Sequence, residues 1–132
     1  MNVERSILVV DDEEQIRNMC AKFFRREGFD IRAVASGEEA LEVMRERPCR
    51  VLIIDMELPN MSGLDLGHAV RREWPLSLTI AVTGFGSLFH LVDCREAGFE
   101  DYFLKPVDMA GLLRAVERSF AKLDRWLVLP RG

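Results

Sequence analysis

Apolar and polar positions along this chain fall into five short apolar runs separated by five stretches of helical period. The runs are Ser6–Val10, Asp30–Val34, Arg50–Ile54, Leu78–Val82 and Asp101–Leu104. The first, third and fourth are almost continuously apolar and rich in β-branched residues, the pattern of strands covered on both faces. The second alternates more, and the fifth is short and aromatic, so both belong nearer a sheet edge. Between the runs, Ile16, Met19, Cys20, Phe23 and Phe24 recur at the spacing of one helix face. Gly28 follows as a stop signal. Ser36 and Glu39 have capping-box spacing at the head of a second helix, which Pro48 closes. A third helix is expected from about Ser62 to Trp74, ahead of Pro75, and a fourth from about Ser87 to Ala97, ahead of Gly98. Asp108 can cap a fifth helix carrying Leu112, Leu113, Val116, Phe120 and Leu123.

Strand and helix alternating five times predict an α/β fold, a doubly wound parallel sheet with helices on both faces. Right-handed crossovers leave few ways to order the strands. The 132 residues fit one domain of useful core size, expected to end near residue 123, with 124–132 a C-terminal tail or the start of a linker. No repeat or low-complexity segment interrupts residues 1–123.

Composition changes this picture little. A net charge of −4 argues against direct nucleic-acid binding by this domain. No apolar stretch approaches membrane-spanning length, and the start lacks the shape of a secretory signal, so a cytoplasmic protein is expected. Cys20, Cys49 and Cys94 form an odd set without a CxxC pair and read as reduced thiols.

The chemistry lies at the strand ends. Polar residues that a core would not select close four of the runs: Asp11 and Asp12, then Asp55, then Thr83, then Lys105. Parallel strands carry their carboxyl ends to one edge, where ligands bind at a topological switch point. Three carboxylates, a hydroxyl and an ammonium should converge there. Crowded carboxylates resist ionisation together. A hard divalent cation relieves that repulsion, so Mg2+ is the expected occupant, with Mn2+ as the alternative. Such a set can position and neutralise a phosphoryl group, and an aspartate within it can be the nucleophile.

The ordered motifs Leu8-Val9-Val10-Asp11-Asp12-Glu13, Ile53-Ile54-Asp55 through Pro59 to Gly63, Ala81-Val82-Thr83-Gly84 and Asp101-Tyr102-Phe103-Leu104-Lys105-Pro106 make the chain resemble the response-regulator receiver family of two-component signalling from Ser6 to about Leu123. The resemblance implies a flavodoxin-like sheet of order 2-1-3-4-5. It implies Asp55 as phosphoacceptor, with Thr83 and Lys105 on the phosphoryl oxygens beside the backbone N–H groups of Met56 and Gly84. Asp12, Asp55 and the main-chain carbonyl of Glu57 would hold the metal, with Asp11 acting through water. Thr83 and Tyr102 would form the switch, Lys105–Pro106 would be cis, and Glu57 and Phe85 would tune the phosphoryl lifetime, with the Phe85 ring expected to dominate. The implied partner is a sensor histidine kinase or a histidine phosphotransferase. The implied output surface, also a candidate homodimer face, is the fourth helix, fifth strand and fifth helix, where Leu88, His90 and Arg114 would contribute. The domain would assist its own phosphorylation and dephosphorylation rather than act as an enzyme on other substrates.

Competing readings differ in specific residues. A haloacid-dehalogenase-type phosphatase also uses an aspartate nucleophile, but its nucleophile follows the first strand and a second aspartate lies two residues on; here Asp55 follows the third run and Glu57 holds that place. A phosphorylation-independent scaffold would not need the acid, threonine and lysine set. His68 and His90 read as exposed or half-buried helix residues. Gly84-Phe85-Gly86 is too short for a nucleotide loop. Leu112, Val116, Phe120, Leu123 and Leu127 could form a coiled-coil-like seam, although packing on the sheet accounts for the earlier members.

Overall fold

The computed structural model describes residues 4–86 and 88–127, leaving aside the side chains at positions 88 and 89. Its elements run β1 (Ser6–Val10), α1 (Glu14–Arg26), β2 (Asp30–Val34), α2 (Gly37–Glu46), β3 (Val51–Asp55), α3 (Gly63–Glu73), β4 (Leu78–Thr83), α4 (Leu88–Glu96), β5 (Asp101–Leu104) and α5 (Met109–Leu127). The five strands are parallel and lie in the order β2-β1-β3-β4-β5. The two runs assigned to edges are the edges. Every residue of β1, β3 and β4 is buried, as their continuous apolar character required.

Strand alternation divides the core in two. Ile7, Val9, Val51, Ile53, Ile80 and Val82 face α1 and α5, where Phe24, Leu112, Val116 and Phe120 pack. Leu8, Val10, Leu52, Ile54 and Ala81 face α2, α3 and α4, where Met44, Leu66, Val70 and Cys94 pack. Each layer is a doubly wound half that needs the sheet between them.

Local signals act where the sequence places them. The Ser36 hydroxyl accepts the N–H of Glu39 at 3.1 Å, and the Ser62 hydroxyl accepts that of Asp65 at 3.1 Å, capping α2 and α3. Gly28 (φ 92) and Gly98 (φ 89) take the left-handed conformation that ends α1 and α4. This lets Phe29 and Phe99 donate back to Phe24 and Cys94, both in the Schellman pattern. Asp108 accepts the Ala110 N–H at 3.2 Å at the start of α5.

Three expectations shift. The third strand is Val51–Asp55 rather than Arg50–Ile54, and the fourth runs one residue further, to Thr83. Register explains both shifts: Asp55 pairs with Val82 and Thr83 with Leu104, so the reactive side chains are still held by the ladder. The α5 stripe is core, not a free seam, because Leu112, Val116, Phe120 and Leu123 are buried and Leu127 packs against the same cluster. The helix passes residue 123 without a break and ends, among the described residues, at Leu127. The expected fourth-helix start at Ser87, the Leu88 side chain and residues 128–132 lie outside the described residues.

Candidate functional site

Four strands deliver their last residues to one edge. Asp11 and Asp55 follow or end the adjacent central strands β1 and β3, and each is 3% exposed. Asp12 beside them is exposed. One oxygen from each of Asp11, Asp12 and Asp55 falls within 4.8 Å of the others. Oxygen-only donors at that spacing fit a hard divalent ion such as Mg2+.

Short backbone turns fix the two buried acids. The Glu13 N–H donates to Asp11 Oδ1 at 2.9 Å, and the Glu57 N–H donates to Asp55 Oδ1 at 3.0 Å. Both are two-residue aspartate turns of the kind that favours this residue after a strand. The Met56 N–H, in contrast, donates to the Val82 carbonyl at 2.8 Å. The Met56 N–H thus extends the sheet ladder, while the Glu57 N–H points at the Asp55 carboxylate.

Lys105 completes the charge balance from the end of β5. Its Nζ lies 3.1 Å from Asp11 Oδ2, 3.3 Å from Asp55 Oδ2 and 3.2 Å from Glu13 Oε1. The peptide that follows it, Lys105–Pro106, is cis. Burial alone would lower the Lys105 pKa, but its hydrogen bond to Asp11 and the charges of Asp11 and Asp55 outweigh it and raise the value. Asp55 is also raised, chiefly by burial; the Glu57 N–H opposes the rise, Asp11 adds to it, and Lys105 opposes it again. A buried acid that resists ionisation beside another acid is what a bound divalent cation would relieve.

Thr83 is fully buried at the end of β4. Its hydroxyl donates to Glu57 Oε2 at 2.5 Å, and the Gly84 N–H donates to Glu57 Oε1 at 2.7 Å. The Thr83 hydroxyl also lies 3.1 Å from the Phe85 carbonyl and accepts the Phe85 N–H at 3.0 Å. The Phe85 ring stands 72% exposed at the rim. The Phe85 carbonyl in turn lies 3.1 Å from His90 Nδ1, and that nitrogen lies 3.4 Å from the Tyr102 hydroxyl. The His90 and Tyr102 rings meet edge to face at 6.0 Å.

Sequence reasoning identified the strand-end set but missed three things. It gave His90 no tie to Tyr102, gave Glu13 no part, and did not foresee that the Glu57 carboxylate takes the Thr83 and Gly84 donors. The acidic run from Asp11 to Glu14 after β1 is the one signal in the sequence that points to Glu13. Arg114, expected on the output face, is exposed and lies 3.9 Å from Asp108. His68 lies on α3 and is exposed.

Comparison with known proteins supports the same identification. The response regulator receiver domain model matches residues 7–117. The chain is 34% identical over 109 residues to the response regulator protein PilR of Pseudomonas aeruginosa, covering 83% of this chain and 24% of that protein. It is 33% identical over 104 residues to the transcriptional regulatory protein SrrA of Staphylococcus aureus, covering 79% of this chain and 43% of that protein. An NtrX-like response regulator of Rickettsia bellii is 32% identical over 115 residues, 86% of this chain and 24% of that protein. The chain thus spans between a quarter and a half of these longer regulators. Among solved structures, a CheY-like receiver domain from Methanospirillum hungatei superposes with a TM-score of 0.89 at 27% identity, covering 93% of this chain and 98% of that one. No helix among the described residues is long and apolar enough to cross a membrane. The chain belongs to the response regulator receiver domain family of two-component signalling.

Proposed function

We propose that this receiver domain accepts a phosphoryl group on Asp55 and passes the change in charge to the α4–β5–α5 face. The observation that carries the reading is the meeting of Asp11, Asp12, Asp55, Thr83 and Lys105 at one sheet edge, with Asp55 buried at its centre. Asp11, Asp12, Asp55 and the Glu57 carbonyl would hold Mg2+ or Mn2+. That ion, when bound, neutralises charge between the acids and the incoming phosphoryl oxygens.

The chain's own residues do the rest. A carboxylate oxygen of Asp55 attacks phosphorus, and the bond from phosphorus to the donor's leaving group breaks; the leaving group departs with that electron pair. The Glu57 N–H holds the other part of the Asp55 carboxylate in place. The Lys105 ammonium, already beside Asp55, balances the added charge. Thr83 and Gly84 offer a hydroxyl and an N–H to the phosphoryl oxygens, and Tyr102 couples Thr83 to α4 and β5. The natural donor is a sensor histidine kinase or a histidine phosphotransferase. Residues 1–123 would form the signalling unit and 124–132 a tail or linker. The setting is cytoplasmic, and the output face is also where a homodimer would form.

Acetyl phosphate with Mg2+ tests the reading directly. One phosphoryl group should be gained on Asp55 by mass spectrometry, and Asp55→Asn should lose it. Stable incorporation on a serine, threonine or histidine instead overturns the assignment.

A further inference from the structure

Both donors proposed for a phosphoryl group, at the end of β4, are engaged in this structure by a side chain of the loop that follows β3. Glu57 Oε2 accepts the Thr83 hydroxyl at 2.5 Å, and Glu57 Oε1 accepts the Gly84 N–H at 2.7 Å. The Glu57 side chain is otherwise on the exposed side of the loop, so solvent was open to it. A surface carboxylate gains from leaving water only where charge-assisted donors are already oriented. Here they are. Thr83 is fully buried and further held through the Phe85 backbone, and Gly84 follows it in a fixed turn.

We propose that the Glu57 carboxylate is an internal stand-in for the phosphoryl group, one that a phosphoryl group on Asp55 must displace from Thr83 and Gly84. The inference rests on the phosphoacceptor reading of Asp55 and concerns how that same site is regulated. Two anionic oxygens on one rigid carboxylate match two of the oxygens of a phosphoryl group in charge and in the donors they satisfy. The two occupants cannot share the donors, since each donor has one proton to give. Phosphorylation is therefore an exchange of anions, and its net gain is smaller than the contacts of the phosphorylated state suggest.

The stand-in also fixes the resting pose of the switch. The Thr83 hydroxyl is held on Glu57 while it accepts the Phe85 N–H, and the Phe85 carbonyl and His90 Nδ1 lead from there to the Tyr102 hydroxyl. Removing Glu57 should free Thr83 while leaving Asp55, Asp11 and Lys105 in contact, because none of their hydrogen bonds uses the Glu57 side chain.

Nuclear magnetic resonance on the whole chain tests this with beryllofluoride, which adds to a carboxylate oxygen as a phosphoryl mimic. In the metal-free wild type, the Gly84 amide should resonate near its position in the Mg2+–beryllofluoride adduct, since an anionic oxygen accepts it in both. In Glu57→Ala it should start elsewhere and move to that position on titration, with the adduct forming at about tenfold lower beryllofluoride, the worth of roughly one net charge-assisted hydrogen bond. Glu57→Gln, which keeps an acceptor oxygen without the charge, should fall between. An unchanged Gly84 amide in metal-free Glu57→Ala overturns the stand-in, and so does equal beryllofluoride affinity in wild type and Glu57→Ala. Adduct formation lost in Asp55→Asn, yet equal in the other two, leaves the phosphoacceptor reading intact and removes only the stand-in. No adduct on Asp55 in either protein removes both.

Discussion

Lys105 Nζ lies 3.3 Å from Asp55 Oδ2, although 50 residues separate the two in the chain. The pair does not stand alone, since the same ammonium is 3.1 Å from Asp11 and 3.2 Å from Glu13. One half-buried cation thus serves three acids, two of them buried. Its value to the fold is mainly the cost it prevents, because buried carboxylates without a counter-charge are expensive.

Lys105→Met should therefore destabilise the metal-free protein. The loss should be about 1–3 kcal/mol, less than the ~3–5 kcal/mol of breaking a fully buried ion pair, because the edge of the site is open to solvent at Lys105 and Glu13. Thermal unfolding in chelator should show a midpoint lower by several degrees. Adding Mg2+ should recover more stability in Lys105→Met than in wild type, because the ion then supplies the missing positive charge. An equal gain from Mg2+ in both proteins would show that ion and lysine do not share these acids.

Gly63 stands where α3 meets the residue that carries the site. A Cβ there would lie 2.3 Å from the Asp55 carbonyl oxygen and 2.6 Å from the Met56 Cα. The Gly63 N–H also donates to the Met56 carbonyl at 3.2 Å. Backbone atoms cannot yield as a flexible side chain can. Gly63→Ala should cost about 2 kcal/mol or more through overpacking, and should weaken Mg2+ binding by displacing the loop that presents the Glu57 carbonyl. Denaturant unfolding and calorimetric titration with Mg2+ read the two effects separately. Wild-type stability in Gly63→Ala would mean that α3 can shift without disturbing β3.

Much of this was legible in the chain because burial on both faces leaves a plain signature. Continuous apolar runs such as Leu52–Ile54 and Ile80–Val82 marked the central strands, and parallel order then required Asp11, Asp55, Thr83 and Lys105 to meet. What was not legible depends on distances across the fold. The contact of Glu57 with Thr83 spans 26 residues and arises from a side chain on a loop, where no periodicity operates. His90 was obscure for another reason. Its helix α4 shows no one-sided pattern, since Leu91 and Val92 are exposed apolar residues on it, so the face toward Tyr102 could not be read. The coiled-coil-like spacing of α5 was real, but a stripe covering a sheet and a stripe covering a partner helix look alike in sequence.

Tyr102 is the only tyrosine in the chain, so its ionisation can be followed without interference. Burial raises its pKa above the ordinary 10.0, and the nearby Cys94 and Glu57 add to the rise. The folded protein then holds the phenol proton to higher pH than the unfolded chain does. Between the ordinary and the raised value the native state binds more protons, so stability falls as pH rises through that window and is unaffected well below it. Tyrosinate absorbance should appear above the ordinary range in the native protein and return to it in denaturant. Glu57→Ala should lower the native value slightly. A native titration at the ordinary value would place the Tyr102 ring in solvent, away from His90.

In the proposed phosphorylated state, the ease with which water reaches phosphorus opposite the bond to Asp55 would set the lifetime, and Phe85 and Glu57 would bear on it differently. The Phe85 ring is exposed at the rim, while its backbone is pinned to the Thr83 hydroxyl. It can lie across the approach without leaving a packed position, and it has no group with which to activate water. Glu57 begins on Thr83 and Gly84 and is turned out when a phosphoryl group takes them. Its carboxylate then sits near a strongly anionic centre, where repulsion works against any pose that guides water inward. Phe85→Ala should therefore speed loss of the phosphoryl group, by up to about tenfold for ~1.4 kcal/mol of barrier. Glu57→Asn removes the repulsion and leaves an amide able to hold water, so it too should speed the loss. A decay series after donor removal, with the double mutant included, separates the two. Slower decay in Glu57→Asn with no change in Phe85→Ala would mean that Glu57 positions the attacking water and the ring shields nothing. Strong non-additivity in the double mutant would place both side chains on one shared water.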